Sequence, residues 1–87
     1  MVEIKSAHYI SDYRLELEFS DGMLGRIDFR DYLQRGGVFA RFQDMVYFKS
    51  FFIDPVSKTL AWPDGIDIDP EMLYHKATGA PLPEWAR

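Results

Sequence analysis

The sequence contains no cysteine, which excludes a disulfide framework, a thiolate nucleophile and a cysteine-ligated zinc site. It also lacks any run of roughly 20 uninterrupted apolar residues, the length that a transmembrane helix needs. The N-terminus has no apolar segment of the signal-peptide type, so we expect a cytoplasmic protein without a membrane partner. Basic residues are few: ten Lys and Arg against fourteen Asp and Glu give a net charge of −4, which argues against a dedicated binder of phosphate backbones.

Aromatic side chains, in contrast, are abundant. Of 87 residues, 16% are aromatic and 47% are hydrophobic, and this composition excludes an intrinsically disordered chain. A chain of this length has room for one domain, which buries only about 60–65% of the surface of the unfolded chain and therefore needs a dense core. We predict a single α+β domain over residues 1–79 and an extended, proline-rich tail over residues 80–87 that carries Trp85.

The first thirty residues predict an antiparallel meander of three strands. Residues 13–19 alternate strictly between apolar and charged side chains, so four apolar groups share one face of a strand. A similar alternation precedes them from residue 2, and the Ser-Asp-Gly sequence at 20–22 favours a tight turn into a third strand at 23–29. In that third strand we expect Leu24, Ile27 and Phe29 to be buried and Gly25 to mark a bulge.

The middle of the chain predicts a short helix followed by a second hairpin. The helix covers residues 30–35 and ends at two glycines, and one further helical turn follows around Phe42. Residues 47–54 are predicted as a strand because they are rich in aromatic side chains, with a turn at Pro55 and a returning strand at 58–62.

The C-terminal helix has the clearest start signal in the sequence. Asp69 is placed to cap free N–H groups, Pro70 suits the first helical position, and Glu71 favours the positive end of the helix dipole. Gly79 predicts the end of the helix after eight or nine residues.

Four carboxylates lie within eight residues at Asp64, Asp67, Asp69 and Glu71, a density that is typical of Ca²⁺ or Mg²⁺ sites. Their spacing does not match a calcium-binding loop, and all but Asp67 have a structural role in a turn or at the helix start. Neither histidine has a companion at metal-ligand spacing, and no nucleophile motif or phosphate-binding loop occurs. We therefore expect no catalytic residue, no metal and no cofactor.

The aromatic residues between 39 and 52 predict a contact surface. As a strand, this stretch places Tyr47 and Phe51 on one face and Phe48 and Phe52 on the other. A domain this small has one well-covered face, so one of the two pairs should lie near the surface unless a partner or the tail covers it. We expect a homodimer or a tight complex with another protein.

The stretch from Trp62 to Tyr74, Trp-Pro-Asp-Gly-Ile-Asp-Ile-Asp-Pro-Glu-Met-Leu-Tyr, resembles a hallmark segment of the bacterial domain-of-unknown-function family 2442. Residues 13–22 and 37–48 are also similar to this family. The resemblance implies a small α+β fold without established catalytic residues. It further implies a gene that lies beside that of another small protein, as in toxin–antitoxin pairs. Some members carry an added DNA-binding helix-turn-helix segment, and no such pattern follows residue 79 in this sequence.

The sequence therefore predicts a protein-interaction module, in one version the antitoxin-like member of a toxin–antitoxin-type pair. The alternative is a small metal-dependent or hydrolytic enzyme that uses Asp64, Asp67 and Glu71. Transcription-associated binding of nucleic acid ranks last because of the acidic charge. The residues proposed for binding are Tyr47, Phe48, Phe51, Phe52, Trp62, Asp64, Asp67 and Tyr74.

Overall fold

The computed structural model describes residues 2–82 and Glu84. Two three-stranded antiparallel sheets combine with three α-helices in an α+β fold. The first sheet has the order β1-β2-β3 and the second the order β4-β5-β6. The strands are β1 (Ile4–Ser11), β2 (Arg14–Phe19), β3 (Leu24–Asp28), β4 (Phe52–Ile53), β5 (Leu60–Trp62) and β6 (Ile66–Asp67), and the helices are α1 (Arg30–Arg35), α2 (Met45–Phe48) and α3 (Pro70–Thr78).

The first sheet confirms the meander that the alternating sequence predicts. Leu15, Leu17 and Phe19 of the central strand β2 have no exposed surface, whereas the residues between them carry their charges on the opposite face. The regular period of two in β2 therefore sets which face of this sheet joins the core.

Strand β3 differs from the prediction at two positions. Its pairing with β2 is regular, so Gly25 marks no bulge, and the irregularities lie instead in β1, after Ile4 and after Tyr9. Leu24 is 60% exposed because it lies on the charged face of the sheet. A Cβ on Gly25 would lie 2.6 Å from the Cβ of Ala77, so this glycine allows helix α3 to approach the sheet closely.

The prediction of one continuous strand over residues 47–54 is wrong for the first half of that range. Residues 45–48 form helix α2, and only Phe52 and Ile53 pair as strand β4. The side chain of Asp44 accepts hydrogen bonds from the N–H groups of Val46 and Tyr47, at 3.0 and 3.4 Å, and so caps this helix. The local cap and the burial of Phe48 in the core prevail over the strand preference of aromatic residues.

The second sheet contains the predicted hairpin and one strand more. β4 pairs with β5 through Phe52 and Ala61, and β5 continues through a tight turn into β6, which the sequence did not predict. In that turn Asp64 and Gly65 both have positive φ values, 69° and 80°. An aspartate followed by a glycine tolerates this conformation at small cost.

Helix α3 begins and ends where the sequence predicts. The Asp69 carboxylate accepts a hydrogen bond from the Glu71 N–H at 2.8 Å, Pro70 is the first helical residue, and Gly79 closes the helix in the left-handed conformation. Half of the predicted tail lies outside the described residues, namely Pro83 and residues 85–87, which include Trp85. In the part of the chain that the structure describes, no helix is both long and apolar enough to cross a membrane.

Candidate interaction surface

Three of the eight residues proposed for binding belong to the core. Phe48 and Trp62 have exposed fractions of 0% and 1%, and Tyr47 reaches only 9%. The indole Nε1–H of Trp62 donates to the carbonyl oxygen of Phe48 at 2.7 Å, and the Tyr47 hydroxyl donates to the carbonyl oxygen of Pro63 at 2.8 Å. Phe48 and Trp62 therefore present almost no surface to a partner, because both side chains join the second sheet to helix α2 inside the fold.

Asp64 forms a surface ion pair that holds the turn between β5 and β6. Its carboxylate lies 2.9 Å from Nη1 of Arg41, whose guanidinium in turn stacks 4.1 Å above the Tyr47 ring. Burial raises the pKa of the Tyr47 hydroxyl, Arg41 opposes this shift, and Asp64 adds to it. The arrangement orders a turn on the surface and leaves this carboxylate already paired.

Tyr74 forms a second polar pair at the other side of the molecule. Its hydroxyl donates to Oδ2 of Asp21 at 2.6 Å, and its ring packs edge-on against Phe19. This hydrogen bond lowers the pKa of Asp21 and raises the pKa of Tyr74. The pair lines an open cleft of about 420 Å³ together with Glu71, whose carboxylate accepts a hydrogen bond from the Val2 N–H at 3.2 Å. Each of these carboxylates therefore has a partner within the chain.

The structure does not bring together the three carboxylates of the metal-dependent alternative. Asp64 pairs with Arg41, Glu71 binds the N-terminal segment, and Asp67 lies on the surface of β6. Among the described residues, no group of three or more His, Asp and Glu side chains is placed to hold a metal ion. A metal-dependent reaction at these carboxylates thus has no geometric support.

Phe52 and Asp67, in contrast, are both exposed and lie on one face of the second sheet, with Ala61, which is only 5% exposed, between them. Phe52 pairs with Ala61, and Ala61 pairs with Asp67, so the three side chains form a row across β4, β5 and β6. Neighbouring strands are about 4.8 Å apart, which places the ends of the row about 10 Å from each other. We call these three residues the Phe52 row.

The Phe52 row combines exposed apolar surface with an unpaired negative charge. Phe52 is 44% exposed, and the nearby chain adds Val46 at 82% and Val56 at 89%. No described residue forms a hydrogen bond or ion pair with the carboxylate of Asp67. Phe51, the remaining aromatic of the predicted set, is half-buried and packs against the core beside this row.

Basic side chains, which a nucleic-acid interface needs, are mostly engaged within the fold: of the nine in the described part of the chain, eight form ion pairs or aromatic contacts and Lys58 forms neither. Five of them form ion pairs with carboxylates on the surface of the described part of the chain: Lys5, Arg14, Arg26, Arg30 and Arg41. Three more lie above tyrosine rings: Arg35, Lys49 and Lys76. The positive charge is thus distributed in local pairs and does not line a common groove.

Comparison with known proteins identifies a similar solved structure and a matching family. No curated protein matches the chain. The fold is similar to the crystal structure of the "Putative DNA Binding Protein NE0471" from Nitrosomonas europaea, with a TM-score of 0.78 and 20% sequence identity. The match covers 91% of this chain and 50% of that protein, so this chain spans half of its length, and at this identity the likeness concerns the fold alone. The family model described as "Protein of unknown function (DUF2442)" matches residues 4–79, and the chain therefore belongs to this family.

Proposed function

We propose that this protein is a protein-interaction module that binds its partner through the Phe52 row. The observation that carries the proposal is the exposure of Phe52: a phenyl ring with 44% of its surface in solvent stands on a sheet that also presents the carboxylate of Asp67, which pairs with no described residue. Aromatic side chains on a rigid element are typical anchors in interfaces, where they fill a pocket of the partner. A sheet holds such an anchor in place at little entropic cost on binding.

The chemistry of the row favours a basic partner. Asp67 lies about 10 Å from Phe52, so one partner segment can place an apolar side chain against the ring and a Lys or Arg against the carboxylate. The net charge of −4 acts in the same direction, because it accelerates the encounter with a positively charged protein.

In its more specific form, the proposal makes this chain the antitoxin-like member of a toxin–antitoxin-type pair. The family resemblance implies a small protein encoded beside it, which is then the candidate partner. Acidic antitoxin and basic toxin would associate through complementary charge, and the apolar row would supply the contact that excludes water.

The experiment has two steps. Co-purification with the product of the adjacent gene tests whether a complex forms, and isothermal titration calorimetry with the two separately purified proteins measures its affinity. We expect Phe52→Glu to abolish the complex and Asp67→Asn to weaken it about 2- to 5-fold, as for one charge pair at an interface rim. Val38→Ala is the matched control, because Val38 is 59% exposed but lies in the 3-10 helix after α1 and belongs to no strand of the second sheet. All three variants should retain the thermal midpoint of the natural protein.

The outcomes separate the two levels of the proposal. A complex that Phe52→Glu leaves intact contradicts the assignment of the row. The other outcome is a complex that depends on Phe52 while expression of this protein fails to restore growth of cells that express the adjacent gene. That result contradicts the antitoxin role but is consistent with a protein-interaction module.

Binding to DNA is the second candidate, favoured by the name of the structurally similar protein. That likeness covers half of the other chain, and eight of the nine described basic residues of this fold form ion pairs or aromatic contacts. Fluorescence anisotropy with a labelled duplex at about 50 mM salt tests it, since phosphate contacts are strongest at low ionic strength. Saturable binding that declines steeply with added salt would support this candidate over the protein partner.

A further inference from the structure

Strand β3 forms an open edge of the first sheet. Two hydrogen bonds frame its pairing with β2: the Phe19 N–H donates to the Met23 carbonyl, and the Phe29 N–H donates to the Tyr13 carbonyl, each at 2.9 Å. Hydrogen-bonded pairs alternate along an antiparallel ladder. The backbone groups of the odd-numbered residues therefore face β2, and those of Leu24, Arg26 and Asp28 face away from it.

The two edges of this sheet differ in how far the described part of the chain covers them. Beside β1 runs the segment from Lys49 to Ile53: the Lys49 ammonium lies 4.5 Å from the centre of the Tyr9 ring, and Ile53 lines the same cleft as Ile4. Along β3, no described residue bonds to the outward N–H or carbonyl groups of Leu24, Arg26 and Asp28. An edge of this kind is a template for the addition of a further strand.

The charges on β3 select a second copy of the same strand as the occupant. Two antiparallel β3 strands can bond through their outward groups only if even-numbered residues face each other. With the two-fold axis at Ile27, Arg26 of each copy lies opposite Asp28 of the other, which gives two pairs of opposite charge. These pairs add to the exposed ion pairs that Arg26 forms with Glu16 and Asp28 forms with Arg14 inside each copy. With the axis at Arg26, the two guanidinium groups would oppose each other, which is unfavourable.

We propose that the protein self-associates through β3, with the two-fold axis at Ile27, so that two meanders join into one six-stranded sheet. Such an interface is isologous and closes after two copies. It uses a surface on the first sheet, separate from the Phe52 row on the second, and so it is independent of the partner proposed above.

The test is sedimentation equilibrium of the full chain over micromolar to millimolar concentration, combined with amide hydrogen exchange at Leu24, Arg26 and Asp28. We expect a concentration-dependent dimer in which the amides of Arg26 and Asp28 become protected, whereas Leu24, which faces the start of α1 of the other copy, serves as the internal comparison. Arg26→Pro should abolish the dimer without loss of the internal ladder, because it removes an N–H that faces away from β2. Arg26→Asp should weaken association at least about tenfold by opposing two carboxylates, and adding Asp28→Arg should restore it by exchanging the charges.

Two results would overturn the proposal. Arg26→Ala keeps the backbone N–H and removes the charge, so association must weaken; if it increases, the charge of Arg26 serves to prevent strand addition. If the three amides are protected at every concentration in a monomer, the edge is covered by another part of the same chain. Phe52→Glu is the control variant and should leave the dimer unchanged.

Discussion

Replacing Gly25 with alanine tests the close contact between strand β3 and helix α3. The added methyl group would lie 2.6 Å from both the Cβ and the carbonyl oxygen of Ala77, well inside the usual contact distance. Overpacking of this kind costs about 1–3 kcal/mol in the free energy of unfolding. The φ angle of Gly25 is not positive, so alanine also gains about 0.4–1 kcal/mol from a less flexible unfolded chain. We expect a net loss of about 1–2 kcal/mol.

Urea denaturation at several temperatures is the assay for this prediction. For a chain of this size the loss corresponds to a fall in melting temperature of roughly 4–16 °C. Ala77→Gly alone should cost about 1 kcal/mol through helix propensity. In the double variant the two losses should be less than additive, because the clash with the Ala77 Cβ disappears while that with its carbonyl remains. Equal or greater stability of Gly25→Ala would refute the contact as described.

Three further predictions concern the sheet, the helix start and the Tyr74 pair. Leu17→Asp should abolish folding, because it buries an unpaired carboxylate. Glu16→Gln loses one exposed ion pair, so thermal denaturation should show a change of less than about 0.5 kcal/mol in the free energy of unfolding. Asp69→Ala should lower the free energy of unfolding by about 1 kcal/mol in urea titrations, and Asp69→Asn should retain most of it. For Tyr74→Phe, stability should be measured against pH. The lowered pKa of Asp21 contributes stability that is present above the ordinary carboxyl pKa, about 4, and is lost as pH falls through the lowered value. The raised pKa of Tyr74 contributes stability that is present below about 10 and is lost as pH rises through the raised value. The free energy of unfolding of the variant should therefore differ from that of the natural protein between these two pH limits, and the difference should vanish outside them. A constant difference at every pH would contradict the hydrogen bond.

The position of the candidate site followed only in part from the sequence. The sequence marks Asp67 as a carboxylate without an assigned structural role and Phe52 as one of several aromatic residues for binding, and both assignments stay predictions. The prediction from sequence placed Phe48 beside them because one strand over residues 47–54 would expose an aromatic face. The signal that it missed is Asp44, an aspartate directly before an apolar run, which caps helix α2.

Sequence alone determined the elements whose signals are local. The strict alternation of residues 13–19 defines the buried face of β2, since a period of two allows no other arrangement against a core. The sequence Asp-Pro-Glu at 69–71 and the glycine at 79 define helix α3, because each residue satisfies a backbone requirement of its own position. These features need no information from distant parts of the chain.

Only the tertiary structure decided the features that depend on distant neighbours. Gly25 allows the approach of Ala77, fifty-two positions later, and nothing near Gly25 in the sequence records that contact. Aromatic residues pack in helices and strands alike, so the core position of Phe48 required the hydrogen bond from Trp62 and the cap at Asp44. The row of Phe52, Ala61 and Asp67 exists because β6 pairs with β5, and strands of two or three residues carry too few side chains for their pairing to be read from periodicity.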